Sequence, residues 1–254
     1  MDLGLSGKKV IMNGGSHGLG LESLKTYAAE GCDVAFFSSD AERVANATSA
    51  IESAGPGKVF GSVLDMTGNP EGYAAWFEQA LEQLGGCDIF VHTASASGQG
   101  ATGDWDRCLD LDIKGATIAV VALTPALEAS DCGSIIFMSS TAAVEKFFTP
   151  QAFNAIKAAM ITYGSQLGQA LAAQGIRVNC VSPGPIEYAT GNWETIKNNM
   201  PDFYEATLAQ MPMGRLGKPC DVAKSVVFLS SPASPYTSGT NLVIDGGYTK
   251  RVQF

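Results

Sequence analysis

The stretch "NGGSHGLG", residues 13–20, lies between a short apolar run, "KKVIM" (8–12), and a helix-length segment, "LESLKTYAAEG" (21–31). The order is strand, glycine-rich turn, helix. Gly14, Gly18 and Gly20 let a backbone come close to a ligand. The helix behind them offers unpaired amides and the positive end of its dipole. Such a turn suits a pyrophosphate, and its place directly after an N-terminal strand gives it the required context. Taken alone it is also what any tight turn looks like, so the rest of the chain has to decide.

Outward from this turn the same alternation repeats. Apolar, β-branched runs at 33–37 ("DVAFF"), 58–64 ("KVFGSVL"), 87–92 ("CDIFVH"), 133–139 ("GSIIFMS"), 176–182 ("IRVNCVS") and 241–245 ("NLVID") read as strands. Between them, helical patterns cover 41–55, 71–86, about 103–128, about 151–173 and 221–231. Continuously apolar strands belong in a sheet buried on both faces. Alternation of this kind predicts an α/β fold: one doubly wound, Rossmann-type parallel sheet in three layers. With no linker-like stretch and no internal repeat, one domain spans 1–254.

The totals narrow the partners. A net charge of −9 speaks against nucleic acid and against an anionic membrane surface, but not against a nucleotide held by backbone amides. The six cysteines are scattered, with no C-x-x-C pair and neither histidine nearby, so no metal site or disulfide framework is expected. The longest apolar stretch, around residues 118–127, is too short to span a bilayer. The expectation is a cytoplasmic protein acting on a small molecule.

At this point the chain resembles the short-chain dehydrogenase/reductase family along nearly its whole length. That family's glycine motif is T-G-x-x-x-G-x-G; Gly14, Gly18 and Gly20 match it, and Asn13 stands where Thr is usual. "LDMT" resembles its adenine-side motif, "RVNCVSPGPI" (177–186) its segment beside the nicotinamide, and the run 214–247 its C-terminal pattern. The resemblance implies a nicotinamide dinucleotide held by Gly14, Ser16, His17, Gly18, Leu19 and Gly20 in the loop. It implies further contacts from Ser38, Ser39, Asp65, Met66, Thr93 and Ala94, and from Lys157, Pro183, Gly184 and Ile186. In this family an acidic residue at the second strand end selects NAD and basic residues select NADP. Here that end reads Ser38-Ser39-Asp40, with no basic residue until Arg43, which leans toward NAD. A homotetramer built through the helices at 103–128 and 151–173 is implied as well. The C-terminal "GGYTKRVQF" (246–254) is a candidate for reaching a neighbouring subunit.

The catalytic frame departs from the family. There a Tyr and a Lys at Y-x-x-x-K perform acid–base work, a Ser thirteen residues earlier orients the substrate oxygen, and an Asn on the preceding helix holds a relay water. Ser140 and Lys157 keep this register, Phe153 stands at the Tyr position and Asp112 at the Asn position. The strand-end N-N-A-G motif reads His92-Thr93-Ala94-Ser95. Phe keeps a ring but has no proton to give. Ser140, Asp112, Tyr188 and Glu145 are the candidates to compensate. The segment 187–213 resembles the family's substrate lid; with Phe147, its Tyr188 and Trp193 suggest an apolar, cyclic or aromatic substrate, and Glu145 borders it. Three readings stay open: an atypical NAD(P)-dependent oxidoreductase, a non-redox lyase or isomerase on the same scaffold, and a non-catalytic nucleotide-binding subunit.

Overall fold

The computed structural model describes residues 1–252, with backbone only at 98 and 99; Gln253 and Phe254 of the C-terminal run lie outside the described residues. Seven strands form one parallel sheet: β1 (Lys9–Asn13), β2 (Asp33–Ser38), β3 (Val59–Val63), β4 (Ile89–His92), β5 (Ser134–Met138), β6 (Arg177–Pro183) and β7 (Asn241–Ile244). Their spatial order is β3-β2-β1-β4-β5-β6-β7. The order reverses between β1 and β4, so a crevice opens past the carboxyl ends of those two strands.

Strand residues alternate between two cores, as a pleated sheet buried on both faces requires. Val10 and Met12 of β1 face one side with Leu24 and Tyr27 of α1 (Gly18–Ala29), Ile51 of α2 (Ala41–Glu52) and Val226 of the late helix Pro219–Ser230. Ile11 faces the other side with Phe77 of α3 (Pro70–Leu84), and Phe90, Leu123 and Met160 join that core. The doubly wound, three-layer expectation holds.

Two elements differ from their expected form. The segment expected as one long helix is α4 (Trp105–Cys108), a π-helical turn over Leu109–Lys114, and α5 (Gly115–Glu128). The extra residue in that turn directs both Leu111 and Asp112 inward, where both are buried. The next helix, α6, runs Ala152–Ala170 and passes into a short 3₁₀ turn rather than reaching residue 173. The lid region forms two short helices, α7 (Asn192–Asn199) and α8 (Pro201–Leu208), separated where Pro201 starts a new first turn. The late helix is α9 (Pro219–Ser230). Among the described residues no helix is long and apolar enough to cross a membrane.

Candidate active site

A cavity of about 680 Å³ opens at the predicted crevice. At one end lies the glycine turn. A Cβ added to Gly20 would sit 2.8 Å from the Gly15 Cα, and one on Gly14 would sit 2.9 Å from the Thr93 hydroxyl, so side chains cannot enter there. His17 is the N-cap of α1 but its side chain makes no capping bond, and the first turn carries no acidic residue. The free amides of that turn and the bare backbone fit a diphosphate.

Asn13, at the end of β1, organises the neighbouring strand. Its Oδ1 accepts from Thr93 N at 2.9 Å and Ala94 N at 3.3 Å. Its Nδ2 donates to Tyr73 Oη at 2.8 Å and to His92 Nδ1 at 2.5 Å. Because the amide donates, His92 Nδ1 is the acceptor and the ring proton sits on Nε2. His92 is fully buried, and burial pushes its pKa down to about 3 despite the nearby Asp112 carboxylate. It is a neutral core histidine and does not border the cavity.

Ser16, His17, Leu19, Ser38 and Ser39 border the cavity on the β2 side, with Asp65 and Met66 beside them. Ser16 Oγ donates to Ser38 Oγ at 2.9 Å. Burial lowers the His17 pKa, with a further push from Arg43, which lines the same end. Asp40 points elsewhere: it caps α2, accepting from Arg43 N at 2.9 Å.

The opposite end gathers the residues for which the resemblance implies catalytic roles. Ser140, Phe153 and Lys157 all border the cavity, next to Pro183, Gly184 and Ile186. The Lys157 ammonium lies 5.7 Å from the Phe153 ring centroid. It pairs with Asp112 Oδ1 at 2.7 Å and donates to Met138 O at 2.7 Å. Both side chains are almost wholly buried, at 3% and 1% exposed. Asp112 Oδ2 also accepts from Ala96 N at 3.3 Å. Ser140 Oγ accepts from Ala142 N at 3.1 Å. Ser139 takes a role the sequence did not signal, donating from Oγ to Lys157 O at 2.8 Å and so fixing α6 to the end of β5.

The lid residues divide. Tyr188, Trp193, Met200 and Phe203 face the cavity with Phe147 and Phe148. Trp193 and Phe203 stack with their planes 10° apart. Tyr204 and Met211 pack within the lid's own small core, where Tyr204 Oη donates to Glu187. Three residues expected at the site stand back from the cavity. Asp112 lies beneath Lys157, as above. Glu145 is turned toward the C-terminal segment, accepting from Lys250 N at 3.0 Å. Gly18 lies behind Tyr188, whose ring atoms come within 2.7 Å of where a Gly18 Cβ would be. Arg107 is a cavity residue that no sequence pattern singled out.

Residues 14–249 match the profile described as enoyl-(acyl carrier protein) reductase. An isoepoxydon dehydrogenase, patN, of Penicillium expansum is 33% identical, with 99% of this chain and 98% of the relative aligned. The chain belongs to the short-chain dehydrogenase/reductase family. A 3beta-hydroxysteroid dehydrogenase of Eggerthella lenta is also 33% identical, over 96% of this chain and 95% of its own length. Among solved structures, L-sorbose reductase from Gluconobacter frateurii, complexed with NADPH and L-sorbose, superposes with a TM-score of 0.88 at 28% identity, covering 99% of this chain and all of the other. A short-chain dehydrogenase/reductase from Serratia marcescens superposes with a TM-score of 0.85 at 29% identity, covering 96% and 99%. Within this family the chain is an NAD(P)-dependent oxidoreductase.

Proposed function

We propose that this protein moves a hydride between a nicotinamide nucleotide and an apolar, cyclic alcohol or carbonyl, with an acid–base apparatus unlike its family's usual one. The observation that carries this is the joint position of Ser140, Lys157 and Phe153 on one wall of a cavity whose far end is the glycine cradle. In this reading Ser140 hydrogen-bonds the substrate oxygen. Lys157 holds the nicotinamide ribose, and the aromatic lid, led by Trp193 and Phe147, closes over the substrate and excludes water. The bound dinucleotide supplies the hydride; the chain supplies orientation, a dry pocket and the proton.

The cofactor is NADP in this reading. The lean toward NAD rests on an acidic strand end, Ser38-Ser39-Asp40, but Asp40 is committed to capping α2. What borders the cavity there instead is Ser38, Ser39, His17 and Arg43, donors suited to a 2′-phosphate. The subunits assemble as a homotetramer in the family's manner.

The test is a carbonyl panel followed by nicotinamide absorbance, with Phe153→Tyr alongside. Restoring a phenol in register with Lys157 supplies a general acid, a group typically worth about 10²–10⁴ in rate, so activity on generic ketones rises at least ~10-fold. Turnover without absorbance change supports a lyase or isomerase instead. Nucleotide binding without any turnover supports a non-catalytic subunit. If Phe153→Tyr binds nucleotide normally yet gains nothing, the ring serves a different chemistry.

A further inference from the structure

The cavity wall raises the question of which group supplies the proton that Phe153 cannot. Few ionisable side chains reach this space. His92 is neutral and sealed in the core. Tyr188 lies across Gly18, and burial raises its pKa, which makes it a poorer acid. Arg107 borders the cavity, but a guanidinium does not surrender its proton. Asp65 and His17 stand at the glycine-loop end with Met66 and Arg43. Tyr248 also borders the cavity, and burial raises its pKa as it does that of Tyr188. Lys157 is left, and its geometry is specific. An ammonium has three N–H groups. That of Lys157 donates to Met138 O and forms an ion pair with Asp112 Oδ1, each at 2.7 Å, and Lys157 borders the cavity.

We propose that the Asp112–Lys157 pair replaces the missing phenol, with Lys157 as the acid and Asp112 as the positioning residue that holds it aimed. This rests on the redox reading above. Two departures then become one: the Asp at the family's Asn position accompanies the Phe at the Tyr position because each requires the other. A buried ammonium needs a counter-charge, and the carboxylate supplies it within the same fold layer. The π-helical turn at Leu109–Lys114 is what brings that carboxylate inward to Lys157, and Ala96 N holds its second oxygen.

The balance is complete. Hydride from the reduced nicotinamide adds to the carbonyl carbon, the C=O π bond breaks, and its electron pair goes to oxygen. That oxygen takes a proton from Lys157 across one bridging water. The neutral amine, still held by Asp112, is recharged by a proton from solvent, and Asp112 stays ionised throughout.

The experiment is a cycle of D112N, F153Y and the double variant, with nucleotide binding measured by calorimetry and turnover by absorbance. D112N alone is expected to lose about 10²-fold in kcat, with nucleotide Kd and substrate KM changed less than about threefold. In the F153Y background the same change costs less than about threefold, because the new phenol donates the proton. Equal losses in both backgrounds mean Asp112 serves the fold alone, and the proposal fails. Unchanged kcat in D112N also overturns it. Should D112N not fold, K157R decides: it keeps the charge and the pair but gives up no proton. K157R is expected to bind nucleotide and lose turnover unless F153Y is also present; loss in both backgrounds sinks the proposal. Absence of nicotinamide oxidation by the unaltered protein overturns the redox reading itself, and this inference with it. Oxidation by the unaltered protein and D112N alike overturns this inference only.

Discussion

His92 shows how a single buried residue records its environment. It sits at the end of β4 with Asn13 on one ring nitrogen and the Asp112–Lys157 pair nearby. Burial, the largest cause, holds it neutral down to about 3, against an ordinary value of 6.5. The unfolded chain therefore binds a proton below about 6.5 that the folded chain refuses. Stability is complete above that value and is lost as pH falls through the window, by about 1.4 kcal/mol per unit from this one group. His92→Asn removes the titration. Urea melts between pH 6 and 4 should show a slope smaller than the parent's by that amount. Equal slopes would mean that His92 is charged or hydrated in the folded state. The neutral, core character of His92 is consistent with a strand-end position in the sequence. Its partner was not visible, because nothing in residue order places Asn13 beside it; only the β1–β4 register does so.

At the scale of elements, the β2–α2 junction and the π-helical turn show where the sequence was legible and where it was not. Strand and helix order could be read from apolar periodicity, and the glycine cradle from Gly14, Gly18 and Gly20. The inward turn of Asp112 could not, because an extra residue per turn is a matter of hydrogen-bond register and leaves no mark in composition. Asp40 carried a signal that was there to be read: an Asp immediately before a helix is first an N-cap. Once that carboxylate is committed to Arg43 N, the charged group left facing the cavity at this junction is Arg43. Its guanidinium pairs well with a phosphate, and such a charge-assisted bond is worth about 1.5–3 kcal/mol. Arg43→Ala should therefore weaken NADP binding about 10–100-fold in calorimetry while NAD binding changes little. Equal weakening of both nucleotides would assign Arg43 to the adenosine rather than to its 2′-phosphate.

For the whole molecule, the question is what covers the outer face of the α3–α5 layer. The two-core sheet buries the inner faces of these helices. Between their outer faces runs a shallow, mostly apolar groove, lined by Ala74, Glu78 and Leu81 from α3 and by Ile118, Val121 and Ala122 from α5, with the buried Phe77 at its floor. Val121 is 79% exposed in the isolated chain. A net charge of −9 keeps single chains apart at long range, so contact on this face has to come from its apolar residues. In the proposed homotetramer a second copy meets that need through a two-fold, self-complementary contact, which joins one pair of its chains. Val121→Asp places a carboxylate at the centre of that strip. As a surface change it alters the stability of one chain by no more than about 0.5 kcal/mol, so any change in assembly is separable from unfolding. Sedimentation should show four chains for the parent and a smaller species for Val121→Asp, with circular dichroism unchanged. A parent that sediments as one chain at micromolar concentration, or a variant that sediments like its parent, would leave this face exposed in solution and place the subunit contacts elsewhere.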